Sequence, residues 1–241
     1  MIRSIINSFF LIIICLFWIS CTGTKHLPSG EKLYTGADIK LETADQIKNK
    51  KKRVVKTMAK DMVRPLPNKS FLGMRPKLWM YMAGGEAPES KFKKLLKKKG
   101  EAPVLMSSVK PASTSAIIDA KLFNIGIFRS STQFKIVEKK YTSKVIYLSS
   151  IHKPYTVKEL IYSITDDSLS QIILTEKEKS LIIPGEDYNL DKLKNERLRI
   201  DALSKNNGYF YFNPDYLLFK ADTSEANHSV TFNLTLKDSV P

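Results

Sequence analysis

Two stretches of this chain, 82 residues apart, carry the same short pattern, and this repeat constrains the fold more than any other feature. Ile118-Asp119-Ala120 is followed after five residues by Gly126-Ile127-Phe128, and Ile200-Asp201-Ala202 is followed after five residues by Gly208-Tyr209-Phe210. A pattern that recurs at a fixed spacing predicts two units of similar structure. The alternative is coincidence, which different helix ends or strand orders in the two halves would reveal.

An amphipathic helix is predicted just before the glycine of each copy. The apolar residues that share one helical face are Ile118, Leu122 and Ile125 in the first copy, and Leu193, Ile200 and Leu203 in the second. Glycine is the residue that most readily ends a helix with a positive φ. We therefore expect Gly126 and Gly208 to stop two equivalent helices at equivalent positions.

Strand-like runs complete both copies. The predicted strands are Phe134–Val137 and Val145–Leu148 in the first copy, and Leu217–Phe219 and Val230–Leu236 in the second, with polar turns at Glu138–Ser143 and Asp222–Ser229. A further strand precedes each helical part, around Leu33, Ile39 and Leu41 in the first copy and from Tyr155 to about Ile164 in the second. The predicted fold is α+β, built from two β-α-α-β-β units at residues 31–150 and 151–241.

The N-terminus has the organisation of a lipoprotein signal peptide. Arg3 precedes the apolar run Ile5–Ile19, which is shorter than the roughly 20 residues of a comfortable membrane span. The small residue Ser20 then stands before Cys21, although Trp18 occupies a position where leucine is common. We predict a signal peptide at residues 1–20, lipidation of Cys21 and a linker at residues 21–30. The alternatives are an ordinary secretory leader or an uncleaved anchor.

Cysteine and histidine usage argues against a metal site and against catalysis. Cys15 lies in the leader, so the mature chain keeps only Cys21 and cannot form an internal disulfide. The three histidines, His26, His152 and His228, are far apart in the sequence. We predict no catalytic residue, no metal site and no cofactor.

One pair of glycines and one pair of aspartates resemble functional motifs, but each has a simpler structural interpretation. Gly84-Gly85 lies near Pro88 and follows no strand, so a turn is predicted there rather than a phosphate-binding loop. The pair Asp166-Asp167 is typical of an N-terminal cap for a helix at Ser168–Thr175.

Charge is distributed unevenly along the chain. Residues 1–150 carry 28 lysines and arginines against 10 acidic residues, whereas residues 151–241 carry 11 against 14. Much of the excess lies in two predicted helices at Lys48–Lys60 and Lys91–Lys99, which form a basic insertion in the first unit. Nucleic acid is an improbable partner for a chain with an export signal.

Each basic helix also carries an apolar stripe. The stripe residues are Ile47, Val54, Val55, Met58 and Met62 in the first helix, and Phe92, Leu95 and Leu96 in the second. The favoured interpretation is that the stripes pack into the first unit and the lysines are solvated; the alternative is adsorption to an anionic lipid leaflet. A cluster at Phe71, Leu72 and Leu78–Met82 is expected to be core or a seam between domains.

The residues of the second copy resemble a known domain family. Gly185–Leu193, followed by Glu196-Arg197, Ile200, Leu203 and Gly208-Tyr209-Phe210, is similar to POTRA (polypeptide-transport-associated) domains of the BamA/TamA superfamily of outer-membrane assembly factors. The segments Cys21–Gly36 and Gly100–Val104 resemble TamL, the lipoprotein form of TamA in Bacteroidetes. The resemblance covers nearly the whole mature chain.

This resemblance implies a function in outer-membrane protein assembly. It implies a lipid-anchored module in the periplasm that binds unfolded outer-membrane protein clients by β-augmentation. It also implies an outer-membrane β-barrel, downstream or as a separate polypeptide, and an inner-membrane-anchored TamB-like partner. The POTRA motif residues would be Gly126, Phe128, Gly208, Tyr209 and Phe210, and the candidate client edge residues are Tyr155, Tyr162, Leu217, Leu218 and Phe219. The alternatives are an unrelated envelope lipoprotein scaffold that contacts anionic lipid and, less favoured, a periplasmic enzyme.

Overall fold

A computed structural model describes residues 27–43, 45–164 and 167–237. The predicted signal peptide, Cys21 and His26 lie outside the described residues. The first half contains β1 (Leu33–Glu42), α1 (Asn49–Asp61), α2 (Pro76–Gly84), α3 (Lys91–Lys99), α4 (Pro111–Asn124), β2 (Ser131–Glu138) and β3 (Thr142–Ser150). The second contains β4 (Thr156–Tyr162), α5 (Ser168–Thr175), α6 (Leu190–Asn206), β5 (Leu217–Ser224) and β6 (Ser229–Leu236).

The strands form two three-stranded sheets with the same order. One sheet has the order β1-β3-β2 and the other β4-β6-β5, so the last strand of each half lies in the centre. In the second sheet β6 is parallel to β4 and antiparallel to β5. In the first, Leu33 N–H donates to Tyr141 O at one end and Ile151 N–H donates to Glu42 O at the other, which makes β1 and β3 parallel. The predicted α+β repeat is confirmed, because both halves share one topology.

The described chain divides into two compact units that differ from the halves of the repeat. Unit 1 comprises the residues up to Lys40 with Lys56–Ala116 and Gln133–Leu148, and unit 2 comprises Leu41–Val55, Ile117–Thr132 and the residues from Ser149 onwards. The domain boundary at residue 150 therefore stays a prediction. In unit 1, Tyr34, Leu78 and Tyr147 are fully buried.

The core of unit 2 consists of two apolar clusters. The first contains Tyr155, Val157, Ile182, Tyr188, Leu193, Val230 and Phe232, and the second contains Ile173, Ile200, Phe212, Leu217 and Leu234. Strand β6 contributes to both, because its alternate residues Val230, Phe232 and Leu234 are buried. Each such side chain contributes about 1.5–3 kcal/mol by leaving water.

The two repeated glycines close identical C-terminal caps. After α4, Gly126 N–H donates to Phe123 O at 3.0 Å and Ile127 N–H donates to Leu122 O at 3.0 Å. After α6, Gly208 and Tyr209 make the corresponding hydrogen bonds to Lys205 O and Ser204 O. Both glycines have a positive φ, +84° and +95°. This is the Schellman motif, and it lies at the two positions that the repeat predicts.

The N-terminus of α5 also follows the sequence-based expectation. The carboxylate of Asp167 accepts a hydrogen bond from Ser170 N–H at 2.7 Å, which caps the helix at its predicted first residue, Ser168. Asp166 lies outside the described residues.

Strand β5 is longer than its apolar residues predict. The turn expected at Asp222–Ser229 is wrong at its beginning, because β5 continues to Ser224 and pairs with β6 up to Ser229. Its last residues are polar and exposed, so they carry no alternation of apolar side chains that would mark them as a strand.

The two basic helices differ in how they use their apolar stripes. In α1, Val55 and Ala59 are buried although Val54 is 60% exposed. In α3 no residue is buried, and both Phe92 and Leu95 are exposed. The expectation that the stripe packs into the protein is therefore wrong for α3. The cluster at Phe71–Met82 is also mostly surface rather than core, because only Leu78 among its apolar residues is buried.

Candidate strand-edge binding site

Strand β5 forms one edge of the second sheet along its whole length. Its eight residues pair with β6 from Leu217 opposite Leu236 to Ser224 opposite Ser229. Among the strands that the structure describes, none pairs with the side of β5 that faces away from β6. Three of the predicted edge residues, Leu217, Leu218 and Phe219, lie on this strand.

The register determines which backbone groups of β5 face outward. Lys237 N–H donates to Tyr216 O at 3.0 Å, which makes these two residues a hydrogen-bonded pair. Hydrogen-bonded and non-hydrogen-bonded pairs alternate along an antiparallel ladder. The residues whose N–H and C=O groups point outward are therefore Leu217, Phe219, Ala221 and Thr223. Among the described residues, these outward groups have no backbone partner.

The side chains of β5 divide into an apolar inner part and an exposed outer end. Leu217 is buried in the second apolar cluster, and Phe219 packs against both clusters with the Arg197 guanidinium 5.9 Å from its ring centroid. Residues 220 to 223 are exposed and include Lys220 and Asp222. Charged side chains on an open edge oppose aggregation of identical chains.

The opposite edge of the sheet, β4, is partly covered. Tyr155 N–H donates to Gly126 O, and Tyr155 O accepts from Tyr188 N–H at 2.8 Å, so both of its backbone groups are paired. Val157 is covered in the same way, by Gly185 N–H and by Glu186 O. Tyr155 is also 6% exposed and belongs to the first apolar cluster. It therefore does not present a free backbone edge.

The end of β4 is open over a short length. A register shift lies between Val157 and Glu159, and Ser163 N–H donates to Leu234 O at 2.8 Å. Counting back from Ser163 along the ladder, the outward backbone groups belong to Leu160 and Tyr162. The Tyr162 ring packs into the second apolar cluster, where burial raises its pKa above the ordinary value.

The five POTRA motif residues lie in different surroundings. The Phe128 ring centroid lies 4.9 Å from those of Tyr155 and Tyr188, tilted against the first ring and edge-on to the second. Tyr209 packs against the second apolar cluster, whereas Phe210 is 74% exposed. The two capping glycines are structural residues, and neither lies on an edge strand.

One buried acidic group was not recognised in the sequence as part of a site. Glu196 on α6 is fully buried, and its carboxylate accepts hydrogen bonds from Arg199 Nε at 2.9 Å and from Leu181 N–H at 2.9 Å. This hydrogen bond with Glu196 raises the pKa of the Arg199 guanidinium. The pair joins α6 to the segment before it, and no second carboxylate among their described bonding partners completes an acid-base couple.

The histidines and acidic residues do not assemble into a metal site in the described ranges. No group of three or more metal-ligating side chains occurs among those residues. His152 lies 3.4 Å from Asp45, and a hydrogen bond from Lys153 N–H holds the pKa of Asp45 below its ordinary value. In the same part of the chain, no helix combines the length and the apolar character needed to cross a bilayer.

The sequence did not indicate which residues of β4 and β5 direct their backbone N–H and C=O groups away from the sheet. Ala221, Thr223 and Leu160 present outward backbone groups, yet nothing in their side chains distinguishes them from their neighbours. Leu218 was a candidate edge residue, but its N–H and C=O face β6. A sequence pattern with a period of two shows which side chains share a face, whereas the orientation of the backbone groups depends on the register.

Comparisons with known proteins give similarities of fold only. No known family model matches the chain, and neither does any curated protein. POTRA3-5 of BamA from Haemophilus influenzae is 10% identical over 89% of this chain and 70% of that one, with a TM-score of 0.46. POTRA1-2 of Omp85 from Anabaena is 12% identical over 87% and 98%, with a TM-score of 0.37.

A third similar structure is the N-terminal domain of Omp85 from Thermosynechococcus elongatus. It is 10% identical over 86% of this chain and 63% of that one, with a TM-score of 0.34. With such low identities and scores, these three likenesses carry no argument about function.

Proposed function

We propose that this chain is a periplasmic POTRA-type module of an outer-membrane protein assembly or translocation factor. In this proposal, β5 binds an extended segment of an unfolded client chain by strand addition. The observation that carries the proposal is the open edge of β5, with outward backbone groups at Leu217, Phe219, Ala221 and Thr223. The shared strand order of the two sheets and the motifs of the sequence support the POTRA assignment.

Backbone pairing suits a client that has no fixed sequence. Strand addition takes its affinity from main-chain hydrogen bonds, and pockets for alternate side chains supply selectivity. A typical intramolecular hydrogen bond contributes about 0.5–1.5 kcal/mol net, so an edge with four outward residues gives modest affinity. A weak and reversible complex is what the transfer of a client to a further site requires.

Edge β4 would be a lesser site. Only Leu160 and Tyr162 present outward groups there, because the segment from Gly185 to Tyr188 already pairs with the beginning of the strand. Two residues with outward groups can form roughly half as many backbone hydrogen bonds with a client as the four on β5. The proposal therefore assigns the main contact to β5.

The wider setting follows from the resemblance of the sequence and is part of the same proposal. Acylated Cys21 would hold the chain on the outer membrane with its domains in the periplasm. An outer-membrane β-barrel, in the same or a separate polypeptide, would receive the client, and a TamB-like inner-membrane protein would be a further partner. The proposal includes no enzymatic activity.

The test is a proline placed where it removes an outward N–H without removing a hydrogen bond to β6. Ala221 is exposed and its N–H points away from β6, and proline is tolerated at such an edge position. We expect Ala221→Pro to weaken binding of a labelled, extended outer-membrane strand peptide about tenfold in fluorescence anisotropy. The matched control Ala221→Ser keeps the N–H and should bind like the parent chain.

Two further variants distinguish loss of binding from loss of fold. Leu218→Pro removes a hydrogen bond to β6, so it should lower the melting temperature and is not a test of the edge. Tyr162→Pro removes an outward N–H from β4 but also a ring that packs into the second apolar cluster, so it is compared with Tyr162→Ala. The loss of binding between these two variants should be smaller than that between Ala221→Ser and Ala221→Pro. If Ala221→Pro keeps its circular dichroism spectrum and still binds like the parent chain, strand addition at β5 is wrong.

A further inference from the structure

Helices α2 and α3 form a closely packed hairpin, which we call the basic hairpin (Pro76–Lys99). A Cβ on Gly84 would lie 2.8 Å from Lys97 Cβ and 3.0 Å from Lys93 O, so the helices touch there at backbone distance. At the end of α3, a Cβ on Gly100 would lie 2.4 Å from Tyr81 N. Because both glycines are needed for this approach, the hairpin is a specific packed structure.

The hairpin exposes large apolar side chains. Phe92 is 67% exposed and Leu95 is 52% exposed, and their spacing with Leu96 places them on one face of α3. Trp79 on α2 is 45% exposed, and Phe71 and Leu72 in the preceding turn are more exposed still. Phe92 and Leu95 lie about one turn apart on α3, so together they form an exposed apolar face, which is typical of an interaction surface.

The same helix carries an unneutralised positive charge. Six of the nine residues of α3 are lysine, and none is acidic. Among the described residues, none of these lysines forms an ion pair with a carboxylate; Lys97 instead donates to Glu86 O at 2.7 Å and lies over the Tyr81 ring. Basic residues of unit 2 such as Lys121 and Lys205 do pair, with Asp191 and Asp201.

We propose that the basic hairpin docks on an anionic lipid surface, with Phe92 and Leu95 inserted among the acyl chains and the lysines at the phosphates. A helix with one apolar face and lysines on its other positions lies in the plane of a membrane interface. Each lysine near an anionic leaflet adds to the attraction, and its long stem lets the ammonium reach the headgroups while the apolar side chains are inserted. This site is separate from β5 and goes beyond the proposed function.

A lipid surface fits this face better than an acidic polypeptide. The charge on α3 has one sign and is spread around most of the helix, so it matches a continuous array of phosphates. A protein partner would instead require acidic residues at fixed positions around Phe92 and Leu95. Binding of an acidic polypeptide is the other outcome that the experiment below distinguishes.

The experiment places a single fluorescent probe on the stripe of the full-length chain. Phe92→Trp is made together with Trp18→Phe and Trp79→Phe, and the chain is incorporated into vesicles that contain brominated lipids. We expect strong quenching with phosphatidylglycerol and little with pure phosphatidylcholine. Raising the salt from about 0.05 M to about 0.5 M should release the probe, since screening shortens the reach of the charges. The readout is local, so it does not depend on how the N-terminus is held.

Matched variants separate the contributions of charge and apolar surface. Converting Lys91, Lys94 and Lys98 to Gln should lower the ratio of docked to undocked hairpin about 100-fold at low salt. Converting Lys177, Lys194 and Lys237, which are exposed in unit 2 and lie outside its two edge strands, should change it less than twofold. Leu95→Ser should reduce quenching, and the similarly exposed Leu198→Ser should not. Circular dichroism confirms the fold of each variant.

Two results would overturn the proposal. One is an unquenched probe in phosphatidylglycerol vesicles while the parent chain is folded. The other is a blue shift of the probe with polyglutamate that exceeds the shift with these vesicles, which would assign the surface to an acidic polypeptide.

Discussion

The two repeated helix ends have the same cap and different surroundings. Gly126 and Gly208 close the same Schellman motif, yet a Cβ on Gly126 would lie 2.9 Å from Tyr188 Cβ, whereas one on Gly208 would meet no atom within 4 Å. The capping motif is encoded by the helix end itself. The neighbours of that cap are supplied by other segments, so a repeated sequence pattern specifies a repeated backbone and not a repeated surface.

The aspartates of the two copies differ in the same way. Asp119 accepts hydrogen bonds from Thr132 N–H at 3.0 Å and from the Thr132 hydroxyl at 2.6 Å, which joins α4 to the start of β2. The residue 82 positions after Thr132 is Pro214, which has no N–H. Asp201 pairs instead with Lys205, one turn further along its own helix. The two aspartates therefore share the same spacing in the repeat, but Asp119 contacts another element whereas Asp201 contacts only its own helix.

The largest expected effect distinguishes the two glycines. Gly126→Ala must bear a positive φ and an overlap with Tyr188, so we expect it to lower the free energy of unfolding by about 3 kcal/mol. Gly208→Ala bears only the strain of a positive φ, about 1 kcal/mol. Urea denaturation of both variants measures the difference. Equal losses would show that the close approach of Tyr188 to Gly126 has no energetic weight.

A smaller difference is expected between the two aspartates. Asp119→Ala leaves the Thr132 N–H without its acceptor in a buried position, at a cost of about 2 kcal/mol. Asp201→Ala loses a partly exposed pair between neighbouring helical turns, which is worth about 0.3–0.5 kcal/mol. Thermal unfolding of the two variants tests this order, with Thr132→Val as a comparison that removes only the hydroxyl donor and keeps the N–H. A larger loss for Asp201→Ala would contradict it.

The smallest expected effect is a loss of folding stability at alkaline pH. It can be compared between a tyrosine of unit 1 and a tyrosine of unit 2. Burial, together with the nearby Tyr147, raises the pKa of Tyr34 in unit 1 to about 12, from 10.0. Between these values the unfolded chain releases the proton and the folded chain keeps it, so stability falls as the pH rises from 10 towards 12. At about pH 11 the loss is roughly 1.4 kcal/mol.

Replacement of Tyr34 tests this assignment directly. Tyr34→Phe should reduce the loss of stability between about pH 9 and about pH 11 in urea titrations. Burial also raises the pKa of Tyr188 in unit 2, so Tyr188→Phe is the matched comparison. If both replacements leave the slope of stability against pH unchanged, Tyr34 does not titrate as its burial implies.

The sequence predicts local structure where side chains carry the signal. The sequence predicts a helix at Lys91–Lys99 and a cap for α5 at Asp166-Asp167, and the structure has this helix and the cap at Asp167. What periodicity could not predict is whether anything packs against a stripe. Val55 and Phe92 occupy similar stripes, but only Val55 is buried, because burial depends on segments distant in the sequence.

The candidate site was predictable only in part for a related reason. The apolar side chains of Leu217–Phe219 predict a strand, whereas the side chains of Ala221 and Thr223 give no pattern that would extend this prediction to them. Which of these residues presents its backbone outward depends on the pairing of Tyr216 with Lys237 across the hairpin. Hydrogen bonds between main-chain atoms leave no trace in the identity of the side chains.

The alternation along β5 also sets a step size for any chain that pairs with it. Outward groups recur at every second residue, about 7 Å apart. A client that moves along the edge by one residue turns its side chains to the opposite face and misaligns every donor, so stable positions are two residues apart. In the proposed function, a client would therefore move along β5 in steps of two residues. The registers between these steps would be bound less strongly.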